Sequence, residues 1–395
     1  MKIITFGCRI NTYESAVMQS LGAQADKTLV VNTCAVTAEA ERQGRQALRK
    51  ARREHPDWTI VATGCAVQMN PELYKNMPEV DRVLGNTDKL DPQALLGAQP
   101  YQVSPIVFQT AKCVPQFANT TRAFLQVQQG CDHHCTFCVV SKIRGKSVSV
   151  KPREVLHNVR QLVQNGYKEI ILTGIDLSSY AFGLPDLIDA VLQQEPDLAR
   201  LSLGSVDPAC LTDDLAEAFA KHVRLMPHLH LSIQAGDDRV LKKMGRRHTT
   251  KQVLDALKVF RKARPDIVFG ADFITGFPTE TEEMFENTLD FVRKADLTLL
   301  HVFPYSQREG TAATRLPSVP VPVRKERADR LRALAKQQKH SYLQRQIGKS
   351  DTVLVEKPHE GLNSHFIRTH LKQAAKVGEV ISVKNKGVQD DELVA

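Results

Sequence analysis

Three short β-branched runs near the N-terminus each end in a cysteine: Lys2-Ile-Ile-Thr-Phe-Gly-Cys8, Thr28-Leu-Val-Val-Asn-Thr-Cys34 and Thr59-Ile-Val-Ala-Thr-Gly-Cys65. Runs this short and apolar, bounded by turn residues, read as parallel strands buried on both faces. Residues 39–54 between them have helical composition, so the order is β-α-β-α-β and the fold class is α/β with an N-terminal open parallel sheet. In such sheets ligands gather at the carboxyl ends of the strands, so Cys8, Cys34 and Cys65 are expected to converge although far apart in sequence. A buried cysteine is often only a small core residue. Thiols at all three strand ends favour a ligand set instead.

A second alternating series follows. Apolar runs at residues 123–128, 169–173, 200–205, 228–233, 267–273 and 297–303 alternate with helical stretches such as 155–166 and 252–264. These β/α units predict a partial TIM-like (β/α)6 barrel with its site at the C-terminal ends of the strands. Residues 91–120, punctuated by Pro92, Pro100, Pro105 and Pro115, read as a linker with room for one strand, and the Pro-rich stretch 316–323 closes the barrel unit. Residues 324–349 have helical composition, with nine Lys/Arg against two acids, and strand-like runs at 351–356, 365–371 and 379–384 form a small C-terminal β-domain. The expected units are therefore 1–115, 116–322 and 323–395.

Composition narrows the chemistry. A chain of 395 residues with net charge +9 and 42% hydrophobic residues is globular rather than disordered. It has no apolar run near the ~18 residues of a membrane helix and no secretory start, so no membrane association and a cytoplasmic location are expected. Eight cysteines in such a chain point to metal or redox use of the thiols rather than to a disulfide framework.

The densest thiol cluster is Cys131-Asp-His-His-Cys135-Thr-Phe-Cys138, just after the first barrel strand. Three thiolates at this spacing can hold three irons of a [4Fe-4S] cluster and leave the fourth iron open. A structural zinc bound by the same cysteines and His133 or His134 is the alternative. Zinc sites more often pair two separated half-sites, and a loop after a barrel strand lies on the catalytic face; both favour the cluster. Cys113 and Cys210 fall outside both triplets and read as spare thiols.

The run resembles the radical S-adenosylmethionine superfamily. Together with the second triplet, the segments Phe6-Gly-Cys-Arg-Ile-Asn-Thr-Tyr-Glu-Ser15, Asn32-Thr-Cys-Ala-Val-Thr37, Arg144-Gly145, His230-Leu-Ser-Ile-Gln-Ala-Gly236 and Gly276-Phe-Pro-Thr-Glu-Thr281 make the chain similar to the methylthiotransferases, nearly end to end. The resemblance implies two [4Fe-4S] clusters. The one on Cys131, Cys135 and Cys138 makes a radical from S-adenosylmethionine, and the one on Cys8, Cys34 and Cys65 carries the methylated sulfur. It also implies an external electron donor, such as a flavodoxin-type reductant, and a TRAM-like, RNA-binding C-terminal domain. By the same resemblance Phe137 lies near the adenine, Gly174 and Asp176 near the methionyl amine, and Ser232, Gln234, Asp272 and Gly276 at neighbouring strand ends around the cofactor. Ser232-Ile-Gln-Ala-Gly236 departs from the family's Leu-Gln-Ser-Gly form, and residues 139–144 lack its usual proline.

The family's branches modify a tRNA adenosine beside the anticodon or a ribosomal-protein aspartate. Excess Lys/Arg over residues 324–349, 142–153 and 39–54 favours a phosphate backbone, hence tRNA as partner. The stretch His301-Val-Phe-Pro-Tyr-Ser-Gln-Arg-Glu-Gly310 looks closest to the branch acting on N6-threonylcarbamoyladenosine. The expected activity is therefore 2-methylthiolation of that nucleoside. The alternatives are methylthiolation of isopentenyladenosine or of a ribosomal-protein aspartate, and, in another class, a non-catalytic zinc-containing RNA-binding protein.

Overall fold

The structure, a computed structural model, describes residues 1–108, 117 and 120–395. The expected boundary at 115/116 and Cys113 lie outside the described residues.

The N-terminal strands Lys2–Thr5, Thr28–Thr33 and Thr59–Gly64 pair in parallel, as expected, and the sheet continues through Arg82–Leu84 and Tyr101–Gln102. The fourth strand escaped sequence reading because it is only three residues long, whereas the two-residue fifth falls in the linker where room for one strand was expected. Both faces of the central strands are covered, which is why they read as continuous apolar runs. On one face Val30 and Val61 share a core with Tyr13, Val17 and Met18 of the helix Arg9–Leu21 and with the barrel residues Ala123 and Leu125. On the other, Leu29, Val31, Ile60 and Ala62 meet Leu48 and Ala51 of the helix Ala38–Glu54, and Val139 and Ile143 from just beyond the cysteine run join them.

The partial barrel has the six expected strands: Arg122–Gln126, Glu169–Thr173, Arg200–Leu203, His228–Gln234, Val268–Thr275 and Leu299–Pro304. They are parallel throughout, and the bridges Leu201 to Leu225 and Val206 to Leu231 join the two halves. The helix Val321–Gln346 starts inside the Pro-rich stretch, with proline in its first turn where the missing N–H costs nothing. Its Ala328 and Leu331 enter the main core, and its Gln338 bonds the Val292 carbonyl at 3.1 Å.

The C-terminal sheet has six strands, in the order Val380–Lys384, Ser350–Lys357, Glu360–Asn363, Arg368–His370, Glu392–Val394 and Gly387–Gln389. It sits at the N-terminal ends of the barrel strands, opposite the expected catalytic face. Arg122 pairs with Glu356 at 2.9 Å, Arg200 donates to the Leu362 carbonyl at 3.0 Å, and Phe366 stacks on His228 with ring centres 5.0 Å apart.

Candidate metal centres

The first triplet is built by the ends of three adjacent strands. Cys8 caps the helix Arg9–Leu21, and Cys65 opens the short helix Cys65–Met69 directly after its strand. Gly7 has φ +100°, and a side chain there would meet Cys34 Cβ and Sγ at 2.8 Å, so the first turn passes directly over the second cysteine. Gly64 has φ +99° and ψ −169°, a region essentially restricted to glycine, which turns the third strand sharply into the Cys65 helix.

Beneath this triplet lies a buried ionic cluster that sequence reading missed. Glu14 lies between two cations: Arg144 grips it in a two-pronged pairing, and Lys89 Nζ sits 2.6 Å from its other side. All three side chains are at most 1% exposed. Arg144 also donates to Asn11 Oδ1 at 2.6 Å and to Cys65 Sγ at 3.2 Å, while Lys89 reaches Asn86 and Asn32. Burial alone would raise the Glu14 carboxyl, but the two cations hold it below the ordinary carboxylate range. The available sequence signal was Asn11 and Glu14, polar residues three apart and so on one face of a helix whose same face buries apolar residues.

The second triplet follows the first barrel strand. A carbonyl of Gly145 receives the Cys131 N–H, and Thr136 is held by Met244 and Lys243. Around the thiols stand His133, whose Nε2 is 2.8 Å from Asp176 Oδ2, and Arg246, which pairs with Asp207 at 2.5 Å and reaches Cys135 Sγ at 3.4 Å. Burial pushes Cys34 up to about 12 and Cys131 up to about 11, with Asp176 and the neighbouring thiols adding to the latter. Such thiols are protonated at neutral pH unless a metal takes the proton's place.

The donor set fits an anionic centre at each triplet. The sulfurs accept N–H groups: Cys34 from Val36, Cys131 from His133 and Cys138 from Val140, each at 3.4 Å, together with Cys65 from Arg144, Cys135 from Arg246 and Cys8 from the Asn11 backbone. Such N–H···S contacts stabilise thiolates and tune cluster potentials. The helix Val140–Arg144, roughly 8 Å long at 1.5 Å per residue, begins two residues after Cys138 and ends on the arginine that touches Cys65. It ties the two triplets together.

The other expected site residues divide. Asp176 adjoins the second triplet through His133 and Cys131, with Gln128 Oε1 accepting its N–H at 2.8 Å, and Gly174 packs against the same Gln128. The Ser232 carbonyl bonds Arg246 at 2.6 Å, and Gln234 adopts φ +76° at its strand end. Asp272 lies away from the contacts of both triplets, accepting from His230 Nε2 at 3.0 Å and His301 Nδ1 at 3.1 Å; these hydrogen bonds hold its carboxyl low although burial opposes them. Phe137 packs edge-on to Phe277, with centres 6.4 Å apart, within a small apolar cluster. Gly276 lies under Arg324 and its N–H bonds Glu280, so its immediate role is to let the barrel end approach the helix Val321–Gln346. Cys210 stands in a short turn after the third barrel strand.

Charge is where the sequence misled. In the helix Val321–Gln346, Arg324 is buried against backbone carbonyls, Arg327 pairs with Glu280 and Glu282, Arg330 with Glu282, Glu286 and Glu326, Lys336 with Asp391 and Arg345 with Asp296. In the helix Ala38–Glu54, Arg42, Arg45, Arg49, Lys50 and Arg52 each face an acid. Residues 350–395 hold six Lys/Arg against seven Asp/Glu. Net charge by segment ignores partners brought in from other segments, such as Glu79 and Asp81 for the helix Ala38–Glu54 and Glu280, Glu282, Glu286, Asp296 and Asp391 for the helix Val321–Gln346, so these two helices are less basic surfaces than their counts imply.

Residues 125–292 match the Radical SAM superfamily model and residues 1–85 that of Uncharacterized protein family UPF0004. Threonylcarbamoyladenosine tRNA methylthiotransferase MtaB of Rickettsia prowazekii is 43% identical, covering 98% of this chain and 95% of that protein. The protein of that name in Thermotoga maritima is 34% identical over 100% of this chain and 96% of its own, and the tRNA-2-methylthio-N(6)-dimethylallyladenosine synthase of Ehrlichia canis is 34% identical over 89% and 87%. Among solved structures, the radical S-adenosylmethionine methyltransferase TsrM from Kitasatospora setae superposes with TM-score 0.54 at 14% identity, over 75% of this chain and 67% of that one, which shows a shared fold. With paired cysteine triplets on an open sheet and a partial barrel, and relatives matched along nearly its whole length, the chain belongs to the radical S-adenosylmethionine tRNA methylthiotransferase family.

Proposed function

We propose that this protein 2-methylthiolates N6-threonylcarbamoyladenosine next to the anticodon of tRNA. Cys131, Cys135 and Cys138 hold one [4Fe-4S] cluster, and Cys8, Cys34 and Cys65 hold a second. When bound, the first supplies the electron that cleaves S-adenosylmethionine to a radical, and the second supplies the methylated sulfur. The observation that carries this reading is the pair of triplets joined by the helix Val140–Arg144, which starts two residues after Cys138 and ends on the arginine that touches Cys65.

The chain's own groups divide the remaining work. Asp176, beside His133, offers a carboxylate to the methionyl amine, and Arg246, anchored by Asp207, offers its guanidinium to the methionyl carboxylate. Asp272 fixes the rings of His230 and His301, and the latter remains largely exposed. Arg9, held by the Leu203 carbonyl at 3.3 Å, reaches the same interior. These donors suit the carboxylate that a threonylcarbamoyl group carries and an isopentenyl group lacks. The working context is the cytoplasm, with an external low-potential reductant.

The branch assignment is supported by the Rickettsia relative at 43% identity. Nucleoside mass spectrometry of tRNA from a deletion strain tests it. Loss of the methylthio derivative of threonylcarbamoyladenosine is expected, with the isopentenyl derivative untouched. An unchanged profile, or loss of the isopentenyl derivative alone, overturns it.

A further inference from the structure

Two cations and one carboxylate, all buried, are costly unless each charge has a use. Glu14 answers one of Lys89 and Arg144 and leaves one positive charge uncompensated, and the guanidinium that bears on it is aimed at Cys65 Sγ, 3.2 Å away. The comparable buried cation at the other triplet, Arg246, is matched by Asp207, and the second arginine near that carboxylate, Arg247, is half-exposed. Only the N-terminal triplet is thus backed by a net buried cation.

We infer that Arg144, reinforced by Lys89, is a positioning residue that raises the reduction potential of the centre on Cys8, Cys34 and Cys65. The inference rests on the reading that these thiols hold a [4Fe-4S] cluster. Three thiolates on an oxidised [4Fe-4S]2+ core sum to one negative charge, and accepting one electron makes it two. A cation fixed in a medium of low dielectric favours the more negative form, and an N–H donated to a ligating sulfur acts in the same direction. Glu14 holds both cations in place, and Asn11 takes the remaining prong of the guanidinium, so the charge cannot turn away from the sulfur. The geometry also joins the two units of the protein, because Arg144 comes from the helix after the barrel's cysteine run whereas Glu14 and Lys89 come from the N-terminal unit. A purely mechanical clamp would show in melting temperature, but would not order the potentials by charge.

The test uses the full chain carrying Cys131→Ala, Cys135→Ala and Cys138→Ala, reconstituted anaerobically so that one cluster site remains. About four irons per chain uphold the underlying reading, whereas an iron-free protein refutes that reading before the role of Arg144 is in question. On this background an EPR-monitored redox titration compares variants. Arg144→Met is expected to lower the reduced-to-oxidised ratio at fixed potential at least tenfold, which is 59 mV for a one-electron couple. Arg144→Lys recovers most of that loss, and Lys89→Met, farther from the sulfur, shifts the ratio the same way by less. Equal potentials in variants that still hold about four irons, or a rise in Arg144→Met, overturn the inference. Should Arg144→Met not fold, an unshifted potential in Lys89→Met overturns it equally.

Discussion

Gly64→Ala is a one-methyl test of how the fold builds the N-terminal thiol site. The residue stands at φ +99°, ψ −169°, where an L side chain costs on the order of 1–3 kcal/mol. The new methyl would lie 2.5 Å from the Thr33 amide nitrogen and 2.6 Å from Asn32 Oδ1, and closer still to the Thr33 carbonyl. Those atoms belong to the neighbouring strand and to the partner of Lys89, so they cannot rotate aside as a flexible chain end would. Overpacking of this kind adds about 1–3 kcal/mol, giving roughly 2–6 kcal/mol in all. Strain of that size is relieved by moving the strand end, which carries Cys65 with it. Gly166→Ala is the control, because Gly166 has φ +93° but no neighbour within 4 Å of a built methyl. Iron analysis after anaerobic reconstitution should give about eight irons for the wild type and for Gly166→Ala, and about four for Gly64→Ala. Urea unfolding should rank Gly64→Ala below Gly166→Ala. Equal iron and equal stability in the two variants would refute the reasoning.

Removing one sulfur from the N-terminal triplet should separate two activities. Cys34→Ala is expected to keep cleaving S-adenosylmethionine to 5′-deoxyadenosine while losing methylthio transfer, read by chromatography of both products; loss of cleavage as well would show that the two centres do not divide the work. In the C-terminal domain, burial would lower the pKa of His365, but Asp266 and Asp351 outweigh it and raise it above the ordinary value. Its stabilising contribution is therefore complete below about 6.5 and lost as pH rises through the folded value. The melting temperatures of wild type and His365→Gln should differ most near pH 6 and converge toward pH 9, and a pH-independent gap would contradict this.

The barrel strands and the three cysteine-ended strands were legible because each is a run of apolar residues with turns at both ends, and burial on both faces leaves that pattern intact. Glu169–Thr173 appears with the same bounds in sequence and structure. The cysteine triplets were legible for a topological reason: adjacent parallel strands bring their ends together whatever the sequence separation. The short strands Arg82–Leu84, Glu360–Asn363 and Glu392–Val394 were not, since three or four residues carry no period. Nor were the partners of Arg144, because Glu14 and Lys89 come from distant segments and their charges look like surface charges until the chain is folded. The same blindness inflated the basic helix Val321–Gln346, whose Arg327 and Arg330 are answered by acids from the preceding barrel helix Glu282–Ala295.

The central claim is that two thiol triplets act together on one modified adenosine. The direct measurement is a single-turnover reaction under anaerobic conditions, with reconstituted protein, S-adenosylmethionine, a chemical reductant and two tRNAs that differ only in bearing threonylcarbamoyladenosine or isopentenyladenosine. Formation of 5′-deoxyadenosine together with the methylthio product on the threonylcarbamoyl tRNA alone is the predicted result. Methylthio transfer to the isopentenyl tRNA, or 5′-deoxyadenosine with no methylthio product on either, would contradict it.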